Sequence, residues 1–214
     1  MDNKIIINVG RQIGCGGCEI AQILAKDFNA KYLDKGLLNL AAKESGFSEK
    51  LFKESDEHHG FLHHLFHSRL PLISDNAIYE NKLSPEALFK FQSDAIRKAA
   101  EEGSCVIMGR CADYVLRDMP GVINIFISAN LADRVKVVMK EEECDESAAR
   151  QLIEKREADR AEYYNYYTGK KWGAAESYDL CINSSFLGIE GTAEYVAEFI
   201  TRLNTEMENW KMEN

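Results

Sequence analysis

From Gly10 to Gly17 the chain reads Gly10-Arg11-Gln12-Ile13-Gly14-Cys15-Gly16-Gly17, four glycines in eight residues. The β-branched run Ile5-Ile6-Ile7 precedes this segment, and Cys18-Glu19-Ile20-Ala21 opens a helical pattern after it. Strand, glycine-rich loop and helix in that order can wrap backbone N–H groups around a phosphate. The glycines let the backbone turn tightly and approach the anion, and the helix N-terminus adds partial positive charge. The same segment also fits an ordinary tight turn between a strand and a helix. It departs from the Gly-x-x-x-x-Gly-Lys-Ser/Thr pattern, because five residues separate Gly10 from Gly16 and Gly17 stands where the lysine is expected. Arg11 is the only cationic side chain between Gly10 and Gly17. It is therefore the candidate to supply the missing charge.

Three further clusters carry chemical potential. After the apolar run Cys105-Val106-Ile107-Met108 come Gly109, Arg110 and, three residues on, Asp113. An arginine just beyond a buried strand can grip a phosphate with its planar fork, or can pair with Asp113 at the surface. Arg156 and Arg160 are four apart on a predicted helix, so they share a face. They fit a polyphosphate between them, or a solvated ladder neutralised by Glu157 and Asp159. The following Tyr163-Tyr164-Asn165-Tyr166-Tyr167-Thr168-Gly169-Lys170-Lys171-Trp172 places four tyrosines, a tryptophan and two lysines in ten residues. That segment can stack on a base and hold phosphate, or pack a lid onto the body. All five histidines lie between His58 and His67. The i,i+4 pairs His59/His63 and His63/His67 can share a metal, but no carboxylate or cysteine in the window completes a ligand set. Cys15-x-x-Cys18 admits a redox dithiol, and a helix N-terminus can lower a thiol pKa.

These residues need elements to position them. Five apolar runs predict buried strands at Lys4–Val9, Ala30–Leu33, Ser104–Met108, Val122–Ser128 and Asp179–Asn183. Helical spacing predicts Gly17–Phe28, Gly36–Glu44, Pro85–Glu102, Leu131–Glu142, Asp145–Tyr166 and Ile189–Leu203. Continuous apolar strands alternating with helices imply a parallel sheet covered on both faces, with ligands at the carboxyl ends of the strands. Gly10, Asp34 and Gly109-Arg110 all fall at such ends. Residues 47–83 break the rhythm as a small lobe, and residues 145–178 read as a lid. A chain of 214 residues, 45% hydrophobic, suits one sizeable domain. Its net charge of −9 argues against nucleic-acid binding, which favours a basic face. No run reaches the ~18 apolar residues of a membrane span. Met1-Asp2-Asn3-Lys4 leads directly into a strand, and six cysteines without an export signal suggest reduced thiols. A cytoplasmic protein is expected, with homo-oligomerisation left open.

Together these segments resemble the cytidylate kinase-like family of P-loop proteins. The resemblance rests on Gly10-Arg11-x-x-Gly14-x-Gly16-Gly17, Tyr32-Leu33-Asp34-Lys35, Val106-Ile107-Met108-Gly109-Arg110-Cys111-Ala112-Asp113-Tyr114, and Glu162 to Gly173. It implies a three-layer α/β/α sandwich with a five-stranded parallel sheet, an acceptor-binding insertion and a helical lid. It also implies phosphoryl transfer from ATP with Mg²⁺ to a nucleoside monophosphate, of the CMP or dCMP type. Gly14, Gly16, Gly17, Cys18 and Glu19 would line the donor phosphates, with Glu19 near the place of the Ser/Thr that holds the metal. Asp34, Lys35, Arg110 and Asp113 would border the acceptor. Arg156 and Arg160 would reach the transferring group, beside Asp159, with Tyr163, Tyr167 and Lys170 in the lid. A nucleotide-binding regulator that has lost the chemistry, or a kinase for another small acceptor, is the alternative.

Overall fold

The computed structural model describes residues 4–34 and 85–213. Two compact units are present, one built from residues 1–34 and 96–214, the other from 35–95. The first contains the whole sheet. Its strands are β1 (Ile6–Arg11), β2 (Lys31–Leu33), β3 (Cys105–Met108), β4 (Val122–Ser128) and β5 (Leu180–Asn183). They are all parallel, in the order β2-β3-β1-β4-β5. The helices are α1 (Gly17–Asp27), α2 (Pro85–Glu102), α3 (Ala112–Val115), α4 (Leu131–Glu141), α5 (Glu146–Thr168) and α6 (Gly188–Glu213). Helix α2 starts in the second unit and ends in the first. No helix among the described residues is long and apolar enough to cross a membrane.

Burial explains why the strands read as unbroken apolar runs. Ile7 and Val9 point into a cluster with Ile20, Ala21 and Leu24 of α1 and Ala193, Val196 and Ile200 of α6. The alternate residues Ile6 and Asn8 are buried too, so both faces of β1 are covered and its pattern cannot alternate in polarity. Strand β1 outruns its predicted end at Val9, because Gly10 and Arg11 continue to pair with Phe126 and Ile127 of β4. A glycine reads locally as a turn, but here tertiary pairing overrides it. The four-residue α3 and a short 3₁₀ turn at Ala175–Ser177 are too brief to show a period, and neither was predicted.

Helix α5 starts at the Asp145 N-cap, whose carboxylate accepts from the Ala148 N–H at 2.8 Å, and stops at the left-handed Gly169. It buries only Ala149, Ile153 and Tyr164. Ala149 and Ile153 join Ile13 of the loop and Val135 and Val138 of α4 in a second apolar cluster. That small cluster seats α5 beside the glycine loop. The predicted helix at 36–44, the lobe at 47–83, the histidine window and Lys35 lie outside the described residues.

Candidate functional site

The loop between β1 and α1 is shaped by its glycines. Gly14 and Gly16 both have positive φ, 71° and 73°, where a side chain is strained. A Cβ at Gly14 would stand 2.8 Å from the Arg134 carbonyl oxygen. Gly16 caps α1 and accepts from the Ile20 N–H at 3.0 Å. Behind the loop, Ser184 Oγ donates to the Cys15 carbonyl at 2.7 Å and Cys15 Sγ to the Ile127 carbonyl at 3.4 Å. The loop is thereby tied to β4 and to the end of β5.

Helix α5 grips the loop at two points one turn apart. Arg160 Nη1 donates to the Arg11 carbonyl at 2.9 Å, and the Ile13 N–H donates to Glu157 Oε1 at 3.1 Å. The same Glu157 oxygen accepts from Arg134 Nη1 at 2.7 Å, and Arg134 Nε donates to the Ala129 carbonyl at 3.0 Å. Arg134 is nearly buried, its side chain 8% exposed. This arginine and Ser184 were missed in the sequence. The only signal for Arg134 was a charged residue on the apolar face of an amphipathic helix. Arg156, expected beside Arg160, instead pairs with Glu142 at 2.7 Å. The adjacent carboxylate, Glu157, is taken by Arg134.

Two guanidinium groups thus converge on the loop. Burial, then repulsion from Arg11, depresses the Arg160 pKa to about 10, so the group stays cationic at neutral pH. With Glu157 held by Arg134, neither Arg11 nor Arg160 has an ion-pair partner among the described residues. An anion between them would relieve both desolvation and repulsion. Cys18 lies near the Tyr32 hydroxyl. Burial, then the Asp34 carboxylate, raises the Tyr32 phenol above its usual range. Glu19 is exposed in the first turn of α1, free to present its oxygens to solvent or to a metal.

Beside the loop, β3 ends in three consecutive left-handed residues: Gly109, Arg110 and Cys111, with φ 66°, 56° and 55°. Two of them carry side chains, which marks a strained turn of the kind found at functional sites. The Gly109 N–H donates to the Val9 carbonyl at 3.1 Å, so this turn lies directly against the end of β1. Asp113, expected at the acceptor, is buried and faces the aromatic segment. Tyr164 donates to its Oδ2 at 2.6 Å and Lys170 Nζ lies 3.6 Å from the same oxygen. Burial and the Asp113 bond push the Tyr164 phenol far up, and burial raises Tyr178 to about 12.

The aromatic segment itself is packed onto the body. Phe126 of β4 meets Trp172 edge-on at 5.3 Å and Tyr178 at 4.9 Å between ring centroids. Tyr163 and Tyr167 meet at a tilt, 4.8 Å between ring centroids and 57° between planes, while Tyr166 is exposed. Of the two readings the sequence left open, packing describes Tyr164 and Trp172. Cys15 and Cys18 are free thiols, and burial raises Cys15 despite the Gly17 N–H, Arg11 and Arg160. Desolvation outweighs the helix terminus there.

Comparisons with known proteins agree with this geometry. The model of the cytidylate kinase-like family matches residues 6–186. A cytidylate kinase of Pyrococcus horikoshii is 26% identical over 204 residues, spanning 94% of this chain and 91% of that protein. The crystal structure of a protein from Eubacterium ventriosum superimposes with TM-score 0.70 at 28% identity, covering 92% of this chain and 99% of that one. Shikimate kinase from Bacteroides thetaiotaomicron, at TM-score 0.53 and 12% identity over 92% of this chain and 98% of that one, shares the fold alone. The sheet order, the glycine loop and the family match converge: the chain belongs to the cytidylate kinase-like family and has a P-loop kinase fold.

Proposed function

We propose that the protein transfers a phosphoryl group from ATP to a nucleoside monophosphate of the cytidylate type. One observation carries the reading: Arg11 and Arg160 bring two positive charges without ion-pair partners among the described residues to a glycine loop at a helix N-terminus. Backbone N–H groups from Gly14 to Glu19 bind the donor phosphates, helped by the α1 terminus. Arg11 and Arg160 stabilise charge that spreads over the transferring group, the main task in phosphoryl transfer. Arg110 and Asp34, at the ends of β3 and β2, hold the acceptor. A bound Mg²⁺ ion would supply charge neutralisation at the phosphates. Glu19 fits that ion, which ordinarily takes one or two carboxylates plus substrate phosphates.

Phosphoryl transfer from γ-labelled ATP, assayed across CMP, dCMP, UMP, AMP and GMP, tests the reading. Transfer to a pyrimidine monophosphate that Arg160→Ala reduces by about 100-fold or more supports it. ATP binding without transfer to any acceptor favours a regulatory nucleotide-binding protein instead. The glycine at position 17, where P-loop kinases carry lysine, is the observation that favours that second reading.

A further inference from the structure

Gly17 poses a question that its backbone does not answer. Gly14 and Gly16 have left-handed φ, but Gly17 is not among the residues of positive φ, so its conformation does not demand glycine. Space does. A Cβ at Gly17 would stand 2.9 Å from Arg11 Cβ, 3.2 Å from Arg11 Cδ and 3.2 Å from Cys15 Sγ. The Arg11 side chain runs across the start of α1, and its Nη1 reaches 3.7 Å from where a Gly109 Cβ would be. It therefore spans the interval between the phosphate loop and the strained turn after β3. We infer that Arg11 and Gly17 are a matched pair, in which the loop's cation has moved from the first residue of α1 to the end of β1, and glycine at 17 is the space that move requires.

The inference rests on the reading that the loop binds a polyphosphate. Lysine in an ordinary loop springs from the start of the helix and extends toward the β- and γ-phosphates. Arg11 starts on the opposite wall and crosses the same volume, ending in a planar fork that can hold two phosphate oxygens at once. Its neighbour Arg160 anchors on the Arg11 carbonyl at 2.9 Å. The backbone of Arg11 thus places one guanidinium while its side chain supplies the other. Both charges are close enough to act on the Cys15 thiol.

Transposing the charge back tests the pairing. The full chain and the variants Arg11→Ala, Gly17→Lys and Arg11→Gly/Gly17→Lys are titrated calorimetrically with MgATP and with tripolyphosphate, and melted without ligand. The double variant takes glycine at 11 because alanine would keep the Cβ that stands 2.9 Å from a Cβ at 17. Arg11→Ala should weaken ATP binding about 10- to 100-fold, the loss of a charge-assisted contact. Gly17→Lys alone should lower both melting temperature and affinity, because Arg11 blocks the new side chain. The double variant should regain affinity to within a few-fold of the parent. Gly17→Ala isolates the steric half: Arg11→Gly, which removes both the Arg11 Cβ and its Cδ, should relieve most of the melting penalty, whereas Arg11→Ala, which keeps the Cβ 2.9 Å away, should relieve little. Unchanged ATP affinity in Arg11→Ala, or a double variant no better than that single one, overturns the inference. So does Gly17→Ala that melts like the parent. If Arg11→Ala does not fold, Arg11→Gln takes its place. A parent protein that binds ATP but transfers nothing overturns the kinase reading alone; one that binds neither ATP nor tripolyphosphate overturns both.

Discussion

At Gly14 and Gly16 the same substitution should have different consequences. Both backbones are left-handed, so alanine carries a strain of about 1–2 kcal/mol at either. At Gly16 the new Cβ meets the Ile189 side chain at 2.8 Å, whereas at Gly14 it meets the Arg134 backbone carbonyl at 2.8 Å. A side chain can rotate away and a helix backbone cannot. Gly14→Ala is therefore expected to lose more stability than Gly16→Ala in urea unfolding, and equal losses would show that the loop itself yields. Cys111 supplies a pH dependence. Burial and then the Asp113 carboxylate push its thiol up to about 12 from an ordinary 9.0. Below pH 9.0 folded and unfolded chains both keep the proton, and the thiol adds no slope. Between there and about 12 the unfolded chain releases a proton that the folded chain retains, so stability falls as pH rises. Cys105, raised to about 11 by burial, acts in the same direction. The urea midpoint should drop between about pH 9 and 11, and less steeply in Cys111→Ser.

Helix α5 depends on two polar grips more than on its small buried stripe. Removing the Glu157 carboxylate leaves Arg134 nearly buried without its ion pair and frees the Ile13 N–H. Glu157→Ala should therefore destabilise by about 3 kcal/mol, and Arg134→Leu/Glu157→Leu should recover part of that loss, since no unpaired charge remains. A chemical-denaturation cycle measures the coupling. Much at this scale was legible in the sequence. Strands β3 and β4 and helices α1, α2, α4 and α5 lie within two residues of their predicted limits, because burial on both faces or a clear helical stripe writes itself into residue type. What was not legible depends on distant partners. Arg156 and Arg160 look equivalent at i,i+4, yet one finds Glu142 and the other the Arg11 carbonyl. The sequence marked Asp113 and the tyrosines as unusual, but only the fold could show that Tyr164 donates to Asp113. The glycine loop was readable from spacing, and the crossing of Arg11 in front of Gly17 was not.

For the molecule as a whole, ligand binding and folding are linked, since every grip on the loop comes from a segment more than a hundred residues away: Glu157, Arg160 and Ser184. MgATP at about 100 times its Kd should add ~2.7 kcal/mol to stability and raise the melting temperature by roughly 5–10 °C. No shift at saturating MgATP would contradict a loop that folds around its ligand. Strand order has another consequence. Val9 and Met108 are register partners on adjacent parallel strands, so the glycine loop and the Gly109-Arg110-Cys111 turn leave the sheet side by side. A hydrogen-bonded ladder, among the stiffest parts of a protein, sets the distance between the two halves of the site. On the proposed reading, each half can then diversify separately. Changes after β3 can retune what receives the phosphoryl group while the apparatus after β1 is inherited intact, which makes the sheet a fixed frame for evolving new acceptors.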